Sequence, residues 1–233
     1  MKIRQTLLVL TALAALATSG WAAEPSVISP KLDADLSAWS FKNSKEKSQW
    51  AVGFAKLDAT NEAKLAFSDS GEGAAGLVNK TGGGVDIYTN EKFGDCTISL
   101  ELMVPKGSNS GIYVLGEYEV QILDSFGKAK VGPGDLGGLY GASAPLKNAA
   151  KKPGEWQTIE IVFTAPKFEG DKKIANAKFV KVTLNGEVIH ENVEMKGPTP
   201  SGVTGKEAAT GPLMFQGDHG AVALRNIQIT PAK

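Results

Sequence analysis

Apolar and polar residues alternate with a period of two through much of this chain, and Gly, Pro, Asn and Asp punctuate the runs. Such alternation marks half-buried β-strands, because successive side chains of a strand point to opposite faces. Residues 97–104 alternate cleanly and place Cys96, Ile98, Leu100, Leu102 and Val104 on one face. Further strands are predicted at 111–115, 118–123, 156–163, 179–184, 187–190, 213–216 and 222–229. Asn185-Gly186 falls between two of them and is a strong signal for a tight hairpin. Many short strands with almost no helical periodicity predict an all-β fold, an antiparallel β-sandwich or jelly roll.

The stretches 127–150 and 196–210 are long, irregular and rich in small residues. Long loops of this kind in a compact domain are functional or disordered. Residues 58–84 are loosely patterned and end in Gly82-Gly83-Gly84. No repeat or composition break appears, so one domain is expected over 23–233.

The first segment reads as a leader. Lys2 and Arg4 precede an apolar run at 7–17, broken only by Thr11 and too short to span a bilayer. Small residues around Gly20 and Ala22 then suit a signal peptidase. A signal peptide over 1–22 and export are therefore expected, with no membrane insertion.

Lys and Arg number 25, and Asp and Glu number 25. Loss of Lys2 and Arg4 with the leader leaves a slight acidic excess, which gives no reason to expect a nucleic-acid partner. The lone Cys96 excludes an internal disulfide and thiolate metal clusters; its place on an apolar face predicts a buried thiol. No phosphate loop, dinucleotide fingerprint or nucleophile elbow is present.

Polar residues break the pattern in two places. In 117–124 the alternation sends Glu117, Glu119 and Gln121 to one side and Tyr118, Val120 and Ile122 to the other. Polar, Gly-bearing ends flank this strand at Asn109-Ser110-Gly111 and at 124–127, as a binding rim requires. The second place is Gln216-Gly217-Asp218-His219-Gly220, an acidic turn carrying one of only two histidines. A solvent-facing turn is the plain alternative there. The other histidine, His190, ends a predicted strand and reads as surface.

These motifs occur in a fixed order: Asn109 to Tyr113, Tyr118 to Ser125, Pro153 to Gln157, Asn185-Gly186, Gln216 to Gly220 and Arg225-Asn226-Ile227. Together they resemble the 3-keto-disaccharide hydrolase family, over about residues 39–231. Where members often carry Arg, this chain has Glu117, and it inserts Gly217 into their Gln-Asp-His-Gly. The resemblance implies a concanavalin A-like jelly roll, a carbohydrate substrate and a periplasmic or secreted location. It also implies chemistry at a glycoside oxidised at C3, where loss of the C2 proton lets the C1 substituent leave.

That route needs a base, an acid and hydrogen-bond donors. Glu119 and His219 are the candidates for proton transfer. Gln121 and Gln216 are candidate sugar donors, and Asn109, Tyr113 and Tyr140 complete the expected binding residues. Asp124 is a further catalytic candidate that would orient His219 or hold a divalent cation; no other cofactor is called for. Its parity sets it opposite Glu119, so it joins the pocket only if the strand bends. Two alternatives stay open. A retaining glycosidase would pair Glu117 with Glu119. A binding module would use Tyr113, Tyr140 and Trp156 as platforms, although Trp156 also suits core packing.

Overall fold

The computed structural model describes residues 26–232, so the expected leader lies outside them. In chain order the strands begin with β1 (Trp39–Phe41), β2 (Trp50–Leu57), β3 (Leu65–Ser68), β4 (Gly76–Asn79) and β5 (Ile87–Thr89). Next come β6 (Cys96–Met103), β7 (Asn109–Val114), β8 (Tyr118–Leu123), β9 (Gln157–Thr164) and β10 (Lys167–Glu169). The last are β11 (Lys172–Ala175), β12 (Ala177–Leu184), β13 (Glu187–Met195), β14 (Met214–Phe215) and β15 (Val222–Pro231). The helical structure among the described residues is one 3-10 turn, Lys45–Lys47.

Two antiparallel sheets make the sandwich that the alternation predicts. One has five strands in the order β1-β5-β14-β7-β8, and the other has eight in the order β13-β12-β9-β6-β15-β4-β2-β3. The facing sides carry the core. Ile98, Leu100 and Leu102 of β6 and Ile159, Ile161 and Phe163 of β9 are buried, as their parity requires. Tyr118 of β8 packs against Phe163 across the two sheets, with ring centroids 5.4 Å apart. Burying each such apolar side chain is worth roughly 1.5–3 kcal/mol. A core of this kind holds the fold without a disulfide. Cys96 is buried at its edge, and burial pushes its thiol up to about 12.

Asn185-Gly186 closes the β12–β13 hairpin as expected. Both residues adopt positive φ, 53° and 83°, which suits the twist of a two-residue loop. The β7–β8 hairpin matters more for function. Leu115 and Gly116 also turn through positive φ, 52° and 71°, so Glu117 belongs to the turn and precedes β8. The expectation that Glu117 shares a strand face with Glu119 is corrected here, because alternation stops where the strand stops.

His190 also departs from its expected surface position. It is 2% exposed, and its Nε2–H donates to the Gly137 carbonyl at 2.8 Å. Burial lowers its pKa, so the ring is neutral. Its burial leaves no mark in the local pattern, because its partner lies in a loop 53 residues away.

Candidate functional site

Since Tyr118, Val120 and Ile122 of β8 face the core, Glu119 and Gln121 must face outward from the five-stranded sheet. They are nevertheless only 3% exposed. Loops roof this outer face, and the long irregular stretches supply them. Residues 137–140 run beside β8 as an added ribbon. The Gln121 N–H donates to Gly138 O and the Gly137 N–H to Gln121 O, both at 2.8 Å, and the Tyr140 N–H donates to Glu119 O at 3.1 Å. Nearer the hairpin turn, the Glu119 N–H donates to the Thr199 hydroxyl at 3.0 Å. The edge strand is thereby covered, which removes an aggregation-prone edge and walls a cavity.

That cavity has a volume of about 110 Å³. Asn109 and Tyr113 of β7 and Glu119 and Gln121 of β8 line its floor. Gln216 at the end of β14 and His219 in the following turn close one side. Tyr140, Pro200 and Ser201 arrive from the two loops. Glu119, His219 and all five expected binding residues thus meet in one cavity. Pro200 and Ser201 were not anticipated individually, since only the length of their loop marked it.

Asp124 is not part of this group. Its carboxylate accepts from the Gly107 N–H at 3.0 Å and the Phe126 N–H at 3.3 Å, and so ties off the turn after β8. Among the described residues no three His, Cys, Asp or Glu side chains are arranged to hold a metal ion. Trp156 is half-buried elsewhere, with the Arg225 guanidinium 4.0 Å from its ring centre.

Glu117 lies outside the cavity as well. Its carboxylate accepts from the Thr204 N–H (2.7 Å), the Thr204 hydroxyl (2.8 Å) and the Gly205 N–H (3.0 Å). It is a buried anchor for the loop that carries Pro200 and Ser201. The two-carboxylate arrangement required of a retaining glycosidase therefore lacks its second member at this position.

Electrostatics single out Glu119. Burial pushes its carboxyl up to about 7, and the negative charges of Asp86 and Asp218 act in the same direction. The Tyr113 hydroxyl and the His219 ring oppose the rise. A carboxyl near neutrality exchanges protons readily at working pH. Burial and the Glu119 charge push the Tyr113 phenol far above its ordinary range, so it remains a neutral donor. The His219 ring is half-exposed, with Asp218 Oδ1 against its Nδ1. That contact leaves Nε2 for a substrate. The turn itself is pinned: Asp86 accepts from the Gly217 N–H at 3.0 Å, and the Asn79 amide donates to Gly217 O and Gly220 O. Gln121 donates to Asn109 Oδ1 at 2.6 Å, which leaves the Asn109 NH₂ as a donor.

The roofed outer face of this β-sandwich gathers amides, a phenol, a buried carboxyl and a His, and the chain falls among carbohydrate-active domains of the glycosyl hydrolase kind. More narrowly, residues 31–230 match the 3-keto-alpha-glucoside-1,2-lyase-like domain, and the chain belongs to that family. The resemblance drawn from the ordered motifs holds. Among solved structures, a provisionally assigned glycosyl hydrolase from Parabacteroides distasonis is 27% identical with a TM-score of 0.62, over 87% of this chain and 81% of that one. Two further proteins of that organism, given the same provisional assignment, share the fold. One is 16% identical (TM-score 0.56; 85% and 90% covered) and the other 19% (TM-score 0.50; 83% and 99% covered). No curated protein matches the chain.

Proposed function

We propose that this protein cleaves the glycosidic bond of 3-keto-glycosides by elimination. The observation that carries the reading is Glu119, a buried carboxyl poised near neutrality in the same cavity as His219. A ketone at C3 acidifies the C2 hydrogen. The Glu119 carboxylate takes that proton, and the C–H electron pair moves into an enolate at C3. Gln216 and the Asn109 amide are the neutral donors available to steady that charge, while the single Tyr113 O–H faces Glu119 and the Pro200 carbonyl. The enolate then collapses to a C1=C2 double bond as the C1–O bond breaks. The departing electron pair goes to the leaving oxygen, which takes the Nε2 proton of the His219 imidazolium, whose Nδ1–H faces Asp218. The products are a 1,2-unsaturated 3-keto sugar and a free alcohol. Water added across the double bond, here or on another enzyme, completes a net hydrolysis.

Matched glycosides, oxidised and unoxidised at C3, test the reading by product analysis. Release of the C1 substituent from the oxidised member alone is the expected result. Release from the unoxidised member would indicate an ordinary glycosidase. Binding without release would indicate a carbohydrate-binding module.

We also propose that residues 1–22 direct export to the periplasm or the exterior, on the strength of the basic start, short apolar run and small residues near Ala22. N-terminal sequencing of exported protein should begin near Ala23, and an intact Met1 there would end the idea. Among the described residues no helix is long and apolar enough to cross a membrane.

A further inference from the structure

His219 lines two hollows at once. One is the cavity of Glu119, and the other is a groove of about 630 Å³. Phe67 and Lys64 of the β3 edge, Lys80 and Gly82 after β4, and Lys106 after β6 contribute to that groove. None of its lining residues is acidic, and three are lysines. Lys106 is paired with Glu62. Lys64 and Lys80 form no close ion pair among the described residues, although the Lys64 charge acts on the Asp58 carboxyl, and the Lys80 ammonium lies 5.4 Å from the centre of the Phe67 ring. A chain with equal numbers of acidic and basic residues has here assembled a locally positive groove with one aromatic wall.

The groove is also built onto the His219 turn. The Gly83 N–H donates to Asp218 O at 2.8 Å. A Cβ on Gly82 would lie 2.4 Å from His219 O, so the two segments touch backbone to backbone. If His219 protonates the leaving oxygen, the leaving group must lie on the His219 side of the sugar held over Glu119. The groove, which shares His219 with the cavity, is the hollow next to that ring.

We propose that this groove is the leaving-group site, and that it selects an aglycone bearing an anionic group, a sugar acid above all. The proposal rests on the elimination reading for its direction. Its specificity rests on the lysines, because ammonium groups outside a close ion pair attract anions without offsetting an existing pair. Phe67 adds one apolar wall, over which the Lys80 ammonium sits.

The test uses three 3-keto-glucosides whose leaving sugar differs only at C6: hydroxymethyl, carboxylate or phosphate ester. The carboxylate substrate should be favoured over the neutral one by about 10-fold in kcat/KM, the worth of two exposed ion pairs. The preference should shrink at high salt and disappear in the Lys64→Gln/Lys80→Gln double variant. A phosphate ester preferred over the carboxylate by the same margin would overturn the sugar-acid assignment. Equal turnover of neutral and charged substrates would overturn the groove assignment and leave the elimination intact. Turnover of none would count against the elimination itself. Binding then decides the groove alone. Free glucuronate, but not glucose, should perturb the His219 ring resonances of the Glu119→Gln protein, and the two lysine substitutions should abolish the effect. No perturbation by glucuronate would overturn the proposal whatever the turnover shows.

Discussion

A Cβ placed on Gly111 would lie 2.4 Å from Oε1 of Glu119, so the carboxylate rests directly on the backbone of the neighbouring strand. The same Cβ would lie 3.0 Å from Cε2 of Tyr113. Gly111 is therefore the vacancy into which the candidate base folds, and any side chain there must push Glu119 or Tyr113 aside.

Gly111→Ala should then lower turnover steeply while costing about 1–3 kcal/mol of stability, the usual range for overpacking. Turnover and urea midpoint, measured on the same preparation, separate the two effects. Unchanged turnover in a folded variant would show that the position of the Glu119 carboxylate does not matter.

Glu117 gives a second prediction, because three donors of the 204–205 segment converge on its carboxylate. Glu117→Gln removes an acceptor and introduces an unwanted NH₂. Leaving a buried group unsatisfied costs about 1–3 kcal/mol. The damage should appear as lower stability and a raised KM, since the loop carries Pro200 and Ser201 into the cavity. Complete loss of turnover with normal stability and KM would restore the two-carboxylate glycosidase.

How far the sequence carried this result depends on where alternation persists. The strand Tyr118–Leu123 was predicted to the residue, because polar and core positions interleave without a break. Parity on β8 likewise set Glu119 and Gln121 on one face, while the polar rim pointed to Asn109. Strand β4 went unread, since Gly76 to Asn79 are buried on both faces and leave no alternation to see. Glu117 was misplaced because parity was extended through a turn whose positive φ values are not visible as a pattern. His190, Pro200 and Ser201 depend on contacts between distant segments, which no local periodicity encodes. Asp124 looked catalytic from its position at the end of β8, and only its contacts to Gly107 and Phe126 reveal the turn it closes.

The shared cavity of Glu119 and His219 gives a third prediction. Glu119→Gln and His219→Ala should each reduce turnover about 100-fold to 10,000-fold, as expected of general acid–base groups. The double variant should lose less than the product of the two, because both groups serve one transition state. Fully multiplicative losses would separate them into independent roles.

The raised carboxyl of Glu119 sets activity and stability against each other, and this yields the last prediction. As a base Glu119 works only when ionised, so kcat/KM should rise with pH through about 7. For stability the sign is opposite. Its folded pKa lies above the unfolded value of 4.5, so the folded state holds the proton more tightly. Stability from this group is complete below about pH 4.5 and is lost as pH rises to about 7. Asp86, also raised by burial, pulls in the same direction. His190 pulls the other way: its folded pKa lies below 6.5, so its contribution is present above that value and fades as pH falls. The Glu119→Gln variant retains Asp86 and His190, so comparison with it cancels His190 and all of Asp86 except its coupling to Glu119. The unfolding free energy of the variant relative to wild type should rise between pH 4.5 and 7.5 by about 3 kcal/mol. A difference that stays flat over this interval would mean that Glu119 ionises normally in the folded protein, and the rising limb of the activity profile would then have to belong to another group.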